Sequence, residues 1–236
     1  MPRGSISRQL RRMRRDWDRR AHKNARHFVA TGKTEWSDED FFESGEQELR
    51  EHVYTDLENI CQGKDPQNMT VLEIGCGAGR VTLPLARFFG EVYAVDISRQ
   101  MVRQARGALA GFPKVHIYRN NGRDLSVVRR RWWHRLGIGD KIQLDFAFSC
   151  LVFQHIPNRT VIESYLCAVN RLLRPRGLFK FQVQGKRVAE TDLDDSWIGE
   201  AFTEEEARHL ANRTGFELRY QYGAGTQDYW LWFFKK

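Results

Sequence analysis

The chain has 236 residues, of which 41% are hydrophobic and 29% are charged, as in ordinary globular domains. Its length suits one α/β domain with appended elements. No apolar stretch approaches the roughly 20 residues that a membrane-spanning helix needs, and the basic start lacks the apolar core of a secretory signal, so a cytoplasmic location is expected. The four cysteines form no CxxC pair, and no Asp, Glu and His cluster has metal-ligand spacing. We therefore expect reduced thiols and no metal.

The net charge of +8 conceals two blocks of opposite sign. Residues 1–33 contain 11 Lys and Arg but 2 Asp, whereas residues 34–62 contain 10 Asp and Glu but one Arg. Apolar residues recur every three or four positions in the basic block, and this spacing predicts an amphipathic helix: Ile6, Leu10, Met13, Trp17, Ala21, Ala25 and Phe28.

The acidic block predicts a second helix. Ser37 is a suitable N-cap, acidic residues occupy the first turn, and apolar residues recur from Phe41 to Ile60. Glycine and proline in residues 63–68 then mark a boundary. We therefore expect an N-terminal helical extension over residues 1–62 and a main domain over residues 63–236.

Apolar runs alternate with helical patterns in the main domain. Strands are predicted at 69–74, 91–95, 115–119, 142–149 and 177–183, with helices near 80–89, 98–110, 158–173 and 203–213. This alternation is typical of a parallel sheet covered on both faces. The last two runs, FELRYQYG and YWLWFFKK, flank a short turn that contains glycine, so the final strand should run antiparallel to its neighbour.

A glycine-rich loop in VLEIGCGAGR lies between the first strand and a helix. Glycines at this position let a ligand approach the backbone closely, near the start of the helix. About twenty residues later, Asp96 ends the strand EVYAVD, where its carboxylate can accept hydrogen bonds from both hydroxyls of a ribose. The pattern predicts a site for a nucleoside.

The spacing of the glycines distinguishes between classes of nucleotide site. A phosphate-binding P-loop needs GxxxxGK[ST], but the GKT at residues 32–34 has His27 at the position of the first glycine. The loop itself follows GxGxG, with Arg80 where the dinucleotide fingerprint GxGxxG has its third glycine, so a dinucleotide fits less well.

At these residues the chain resembles the class I S-adenosylmethionine-dependent methyltransferases, whose first motif is an acidic residue, any residue and GxGxG. Glu73 is the acidic residue here. The segments NNGRDL, SCLVFQHIP and LLRPRG and the C-terminal strand pair also resemble bacterial members, over roughly residues 65–236. The resemblance implies an α/β fold with a Rossmann-like, doubly wound, seven-stranded sheet that is mostly parallel with an antiparallel last strand. It also implies S-adenosylmethionine as cofactor and S-adenosylhomocysteine as product.

The resemblance implies cofactor-binding residues at the ends of the first four strands: Glu73, Gly75, Cys76, Gly77, Asp96, Ile97, Asn121, Gly122 and Cys150. Asp96 would take the ribose hydroxyls and Ile97 would lie against the adenine. Asn121 stands where the family usually has an aspartate that accepts from the adenine amino group, so the acceptor there would be an amide oxygen.

The residues after the fourth strand are candidates for the reaction itself. A sulfonium is already an activated methyl donor, so alignment of the acceptor supplies much of the catalysis. If a base is needed, His155 is the candidate, because imidazole titrates near neutral pH. The alternative is that His155 and Gln154 only shape the loop. Gln154, Trp17 and Trp197 are the predicted substrate-binding residues.

The basic helix has two interpretations. It is a nucleic-acid or anionic-membrane contact, as Arg and Trp interleaved in RRMRRDWDRR and RRRWWHR suggest, or a lid over the cofactor whose charge the acidic block balances. The near cancellation of the two blocks favours the lid.

Three functions follow from these interpretations. They are methyl transfer to a hydroxyl or amine of a small molecule such as a sugar or natural product, methylation of RNA or DNA, and S-adenosylmethionine binding without catalysis. The absence of an N-P-P-[FY] motif and of paired cysteines disfavours methylation of bases. The oligomeric state is left open.

Overall fold

A seven-stranded sheet forms the centre of the protein in a computed structural model that describes residues 3–128, 142–186 and 199–236. The strands are β1 (Thr70–Ile74), β2 (Glu91–Asp96), β3 (Val115–Arg119), β4 (Leu144–Ser149), β5 (Leu173–Val183), β6 (Phe216–Tyr222) and β7 (Tyr229–Lys235). Their order is β3-β2-β1-β4-β5-β7-β6, and β7 runs antiparallel to both of its neighbours. The predicted fold class is confirmed.

The order of the strands creates the site. β1 pairs in parallel with β2 on one side and with β4 on the other, so the chain changes direction across the sheet at the β1–β4 pair. In open α/β sheets, ligands bind outside the carboxyl ends of the strands at this switch point. The glycine loop and the segment after β4 meet there.

Seven helices accompany the sheet within the described residues: α1 (Arg3–Val29), α2 (Asp38–His52), α3 (Leu57–Cys61), α4 (Thr82–Phe88), α5 (Arg99–Ala108), α6 (Arg159–Leu172) and α7 (Glu204–Arg213). β1, β2 and β4 are almost entirely buried, as expected for parallel strands covered on both faces. In this described part, no helix is both long and apolar enough to cross a membrane.

The basic helix is interrupted near its end, although the sequence predicted an unbroken one. Asn24 has extended backbone angles, φ −168° and ψ 89°. Its side-chain oxygen accepts from the N–H of His27, and its amide nitrogen donates to the carbonyl of Thr34, 2.8 Å away. Asn24 thus caps a separate final turn, since Asn side chains can replace the helical backbone bonds lost at such a break.

The acidic block forms two helices where one was predicted. Ser37 caps α2 as expected, accepting from the N–H of Asp40. The helix ends before Val53, and a 3-10 turn at Tyr54–Asp56 leads into α3. A tertiary contact accounts for the break, because Asp56 accepts from Lys180 Nζ on β5 at 2.9 Å and from the indole of Trp232 on β7.

The N-terminal extension packs onto the main domain through α1. Leu10 and Met13 join the central core cluster that includes residues of β1, β2 and β4. Asp18 accepts from Ser98 Oγ at 2.6 Å and from the N–H of Arg99 at 2.8 Å, at the start of α5. A carboxylate at this position satisfies donors that a helix start leaves unpaired and complements the helix dipole.

The Asp18 contact predicts how firmly α1 is held. Asp18→Ala should cost about 1–2 kcal/mol, the usual effect of losing an N-capping acceptor, and should speed amide hydrogen exchange in residues 3–29 by roughly five- to thirtyfold. Asp18→Asn is the matched control, because it keeps an acceptor oxygen and should lose less protection. Equal exchange in wild type and Asp18→Ala would contradict this docking role.

Candidate cofactor and active site

A cavity of about 180 Å³ opens at the carboxyl ends of β1, β2 and β4. The glycine loop forms one wall and the residues after β4 form another. Helix α1 forms a third wall through Met13, Trp17, Phe28 and Val29. Most of the sequence-predicted site residues line it together: Trp17, Glu73, Gly75, Cys76, Gly77, Asp96, Ile97, Cys150, Gln154 and His155. Residues from four separate stretches of chain therefore converge on one space.

The glycine loop needs glycine for both conformation and space. Gly75, Gly77 and Gly79 have φ angles of 81°, 52° and 93°, which disfavour other residues. A Cβ atom at Gly75 would lie 2.1 Å from Val152 Cγ2, and one at Gly77 would lie 2.6 Å from Val29 Cγ2. The loop is thus closely covered by the segment after β4 and by the end of α1.

The amide groups of this loop are used inside the protein. The N–H groups of Gly75 and Cys76 both donate to the carbonyl of Val95, at 2.7 and 3.0 Å. The N–H of Gly77 donates to Asp96 Oδ2 at 3.0 Å. These bonds fix the loop against β2, so the glycines open space for a ligand by lacking side chains.

Asp96 connects the loop with the next helix. Its second oxygen, Oδ1, accepts from the N–H of Ser98 at 2.8 Å. Each carboxylate oxygen has two lone pairs, so each retains capacity for one further hydrogen bond. This is the arrangement that two vicinal hydroxyls of a ribose require, and the predicted nucleoside fits it.

Glu73 is buried at the end of β1, where its Oε2 accepts from Thr82 Oγ1 at 2.5 Å. Burial raises the pKa of Glu73 from 4.5 to about 7, although Thr82 and Arg80 oppose the shift. Burial likewise raises the pKa of Asp96 from 3.8 to about 6, opposed by the backbone donors of Ser98 and Gly77. Two carboxyls with raised pKa values in one cavity mark it as a candidate functional site.

Asn120, and not Asn121, lines the cavity beside these carboxyls. Asn120 is buried and donates to Tyr165 Oη at 2.7 Å. The Asn121 side chain is exposed and its oxygen accepts from the N–H groups of Arg123 and Asp124. That turn engages the Asn121 amide, so Asn120, and not the predicted Asn121, is the asparagine that lines the cavity.

Gly122 also stands behind the cavity wall and is not part of it. It has a φ of 75°, and a Cβ atom there would lie 2.5 Å from Ile97 Cδ1. The residue leaves room for the Ile97 side chain, which faces the cavity together with Met101. An apolar surface of this kind beside Asn120 suits an adenine ring.

His155 lies in a 3-10 turn after β4, at Phe153–His155. Its ring meets the edge of Trp17 with 5.2 Å between ring centroids, and its Nε2 lies 3.3 Å from Gln154 Nε2. With the amide as donor, Nε2 is the accepting nitrogen. The structure thus brings the three residues into one group.

A buried glutamine on β5 supports this group from behind. Gln182 accepts from the N–H of Leu151 at 2.9 Å and donates to Gln154 Oε1 at 3.3 Å and to Asp228 Oδ1 at 2.6 Å. Leu151 has a φ of 58°, an unfavourable angle for a residue with a branched side chain. Strained backbone of this kind is found at functional sites where surrounding bonds hold it, as Gln182 does here.

Other lining residues were not predicted from the sequence as residues of the site. Phe28, Val29 and Thr31 follow the break in α1, and Gln227 lies in the β6–β7 turn. Arg80 was noted only for departing from a glycine fingerprint, yet it is buried in the wall and its guanidinium donates to Glu48 Oε2 at 2.9 Å. Trp197 lies outside the described residues.

Comparisons with known proteins agree with this geometry. Residues 72–179 match the family model described as a methyltransferase domain. The chain is 29% identical over 119 residues to a tRNA/tmRNA (uracil-C(5))-methyltransferase of Neisseria meningitidis, covering 49% of this chain and 33% of that protein. It is 26% identical over 129 residues to a ubiquinone biosynthesis O-methyltransferase of Bartonella tribocorum, covering 51% of this chain and 47% of that protein. It therefore spans less than half the length of these two relatives.

Solved structures share the fold over nearly the whole chain. Magnesium protoporphyrin IX methyltransferase from Synechocystis PCC 6803, with bound S-adenosylhomocysteine, superposes with a TM-score of 0.63 at 18% identity, covering 94% of this chain and 98% of that one. The same protein has also been solved with S-adenosylmethionine, with a TM-score of 0.64.

The raised pKa of Glu73 predicts a dependence of stability on pH. A carboxyl whose pKa is higher in the folded state stabilises the fold most below its unfolded value, near 4.5, and this contribution is lost as the pH rises through about 7. The free energy of unfolding of Glu73→Gln, relative to wild type, should thus rise by about 3 kcal/mol between pH 4 and pH 8.

Urea denaturation at a series of pH values measures this difference, and its change with pH is the readout. The exposed Glu35 provides a matched control, since Glu35→Gln should leave the pH dependence as in wild type. If the free energy of unfolding of Glu73→Gln differs from that of wild type by the same amount at every pH, the Glu73 carboxyl has an ordinary pKa in the fold.

Proposed function

We propose that the chain is a class I S-adenosylmethionine-dependent methyltransferase and that it transfers the methyl group to a hydroxyl or amine of a small molecule, of the sugar or natural-product type. The observation that carries this proposal is the wall that α1 builds over the cavity. Met13, Trp17 and Phe28 narrow the space beside the glycine loop to a size suited to a compact acceptor.

The proposal assigns separate tasks to two parts of the chain. Residues 63–236 bind the cofactor, and residues 1–62 act as a helical lid that completes the acceptor pocket. The contacts of Val29 with Gly77 and of Asp18 with the start of α5 support the second assignment, because both tie α1 to the cofactor side of the cavity.

The residues that would hold the cofactor lie at the ends of β1, β2 and β4. Asp96 would accept from the ribose hydroxyls, Ile97 and Asn120 would bind the adenine, and Glu73 would bind the amino end. When bound, the cofactor supplies a methyl group that is already activated by its sulfonium. The chain then has to orient the acceptor and exclude water, for which rigid placement is worth roughly 7–11 kcal/mol of the barrier.

Trp17, Gln154 and His155 form the acceptor side in this proposal. The indole of Trp17 offers an apolar surface, and Gln154 holds the imidazole by one nitrogen. With the Gln154 amide as donor, Nε2 is the unprotonated nitrogen, so Nε2 would be the atom that accepts a proton from the substrate, in exchange for the bond to Gln154. His155 would take the proton of a hydroxyl or amine as the methyl group is transferred.

An assay of S-adenosylhomocysteine release tests the acceptor class. We expect release with one or more phenols, sugars or amines in a panel of small molecules and none with bulk tRNA. Asp96→Ala, which removes the ribose acceptors, should abolish both release and S-adenosylhomocysteine binding. Release with tRNA alone would overturn the small-molecule assignment, and tight S-adenosylhomocysteine binding without release under any condition would favour a non-catalytic protein.

A substitution at His155 distinguishes between two roles for this residue, a general base and a side chain that only shapes the pocket. His155→Gln keeps hydrogen-bonding capacity but cannot take a proton, so we expect kcat to fall by at least about 100-fold, the lower end of general-base contributions. The dissociation constant of S-adenosylhomocysteine should stay within about twofold of wild type.

The pH dependence of kcat is the second readout for His155. The acid limb of the wild-type profile should be absent from His155→Gln. Trp17→Phe is the matched control, since it preserves an aromatic wall next to the imidazole and should leave that limb in place. A rise in KM with kcat unchanged would assign His155 to pocket shape alone.

RNA methylation is the second candidate function. The observation in its favour is the basic outer face of α1, and the relatives named for tRNA methylation agree with it. Cys61, Cys76 and Cys150 do not support attack on a pyrimidine ring, because burial raises the pKa of each thiol.

A further inference from the structure

The outer face of α1 carries a continuous row of positive charge. Six basic side chains recur there at intervals of one to four residues, and all are exposed: Arg8, Arg11, Arg12, Arg15, Arg19 and Lys23. The opposite face of the same helix is buried against the domain through Leu10, Met13, Ala21 and Ala25. We call these six residues the basic row.

The acidic block does not neutralise the basic row, although the balance of charges in the sequence suggested that it would. Two ion pairs join the blocks in the described residues, Arg26 with Asp38 and Lys33 with Asp40, and both lie beyond the row. Two carboxylates of the acidic block form ion pairs with the main domain instead: Glu48 with Arg80, and Asp56 with Lys180.

Most of the basic row has no carboxylate partner. Asp16 lies between Arg12 and Arg19 and pairs with both, at 3.8 and 2.8 Å. In the parts of the chain that the structure describes, no carboxylate lies within 4.0 Å of the charged groups of the other four: Arg8, Arg11, Arg15 and Lys23. Leaving four positive charges uncompensated on one helix face costs free energy through mutual repulsion, and an anionic partner would remove that cost.

The dimensions of the row suit a chain of phosphates. Residues 8–23 of an α-helix span about 22 Å, at 1.5 Å per residue. The adjacent helix α5, whose first turn is capped by Asp18, adds the exposed side chains of Arg99 and Arg103. Five of the six residues of the row are arginines, whose planar guanidinium groups match phosphate oxygens in pairs.

We propose that the basic row is a docking surface for the phosphodiester backbone of a nucleic acid. A helix that binds a membrane inserts its apolar face among the lipids, but here that face is buried in the protein core. Among the described residues, the large exposed hydrophobic side chains, Tyr220 and Tyr222, lie on β6 at the far edge of the sheet and not beside α1. The partner would therefore be recognised by charge alone.

This surface is separate from the acceptor pocket. The basic row faces away from the cavity that Met13 and Trp17 line from the same helix. A docked nucleic acid would hold the enzyme in place without entering the site, so the inference goes beyond the proposed function and does not depend on it.

Fluorescence anisotropy with a labelled 20-nucleotide single-stranded RNA tests the proposal in the full-length protein. Neutralising four phosphates gives a slope of about −2.8 for log K against log salt, or roughly a 50-fold loss of affinity between 50 and 200 mM. The variant R8Q/R11Q/R15Q/K23Q should bind weakly, with a slope that is shallower by about 2.8.

A second variant, with the same net charge as the first, separates the effect of where the charges lie from the effect of net charge. R87Q/R171Q/R208Q/K236Q removes four exposed basic side chains from α4, α6, α7 and the C-terminal residue. It should bind RNA as wild type does. An equal loss of RNA affinity in the two variants would show that only net charge matters and would overturn the proposal. Binding to phosphatidylserine vesicles but not to RNA would also overturn it. The assay needs no turnover, so it stands even if methyl transfer to small molecules is not found.

Discussion

The carboxylate of Asp96 is the constraint on which the arrangement of the cavity depends. One oxygen holds the N–H of Gly77 in the glycine loop and the other holds the N–H of Ser98 at the start of α5. Hydrogen bonds to a charged acceptor are worth about 1.5–3 kcal/mol each, and here they offset part of the desolvation cost that raises the pKa of Asp96. Ser98 in turn donates to Asp18, so the same contact extends to the helix over the cavity. Loop, strand, α5 and α1 are thereby set relative to a single side chain.

The main domain could be predicted from the sequence because its signals are local. Apolar runs separated by helical patterns identified the strands from β1 to β5, and the glycine turn before Tyr229 identified the antiparallel pair. The breaks at Asn24 and Val53 could not be predicted in this way. Asn24 is tied to Thr34, beyond the end of the helix, and the end of α2 depends on Asp56 meeting Lys180, 124 residues later in the chain.

Residues of the site could be predicted where the local sequence pattern points to one residue type with one structural or chemical role. The glycines and Asp96 follow from backbone geometry and from the chemistry of a ribose, and both lie where that reasoning put them. The choice between Asn120 and Asn121 was not of this kind, because neighbouring amides look equivalent until the turn shows that Asn121 caps Arg123. Gln182 carries no signal at all in the sequence, since it acts from another strand on the backbone of Leu151. The nearly equal and opposite charges of residues 1–33 and 34–62 were misleading for the same reason. Ion pairs form between side chains that are close in space, and the sequence does not show which those are.

Two of the cavity walls carry thiols, Cys76 in the glycine loop and Cys150 after β4. Burial raises the pKa of both well above the usual value, and Cys150 also donates to Glu48 Oε1 at 3.1 Å. Thiols react as nucleophiles in their deprotonated form, so these two stay inert near neutral pH. The proposed cofactor would bring an activated methyl group into the same cavity as these two sulfur atoms, and a protonated thiol is a poor acceptor for it. Burial of the two thiols would, in that sense, protect the protein against self-alkylation.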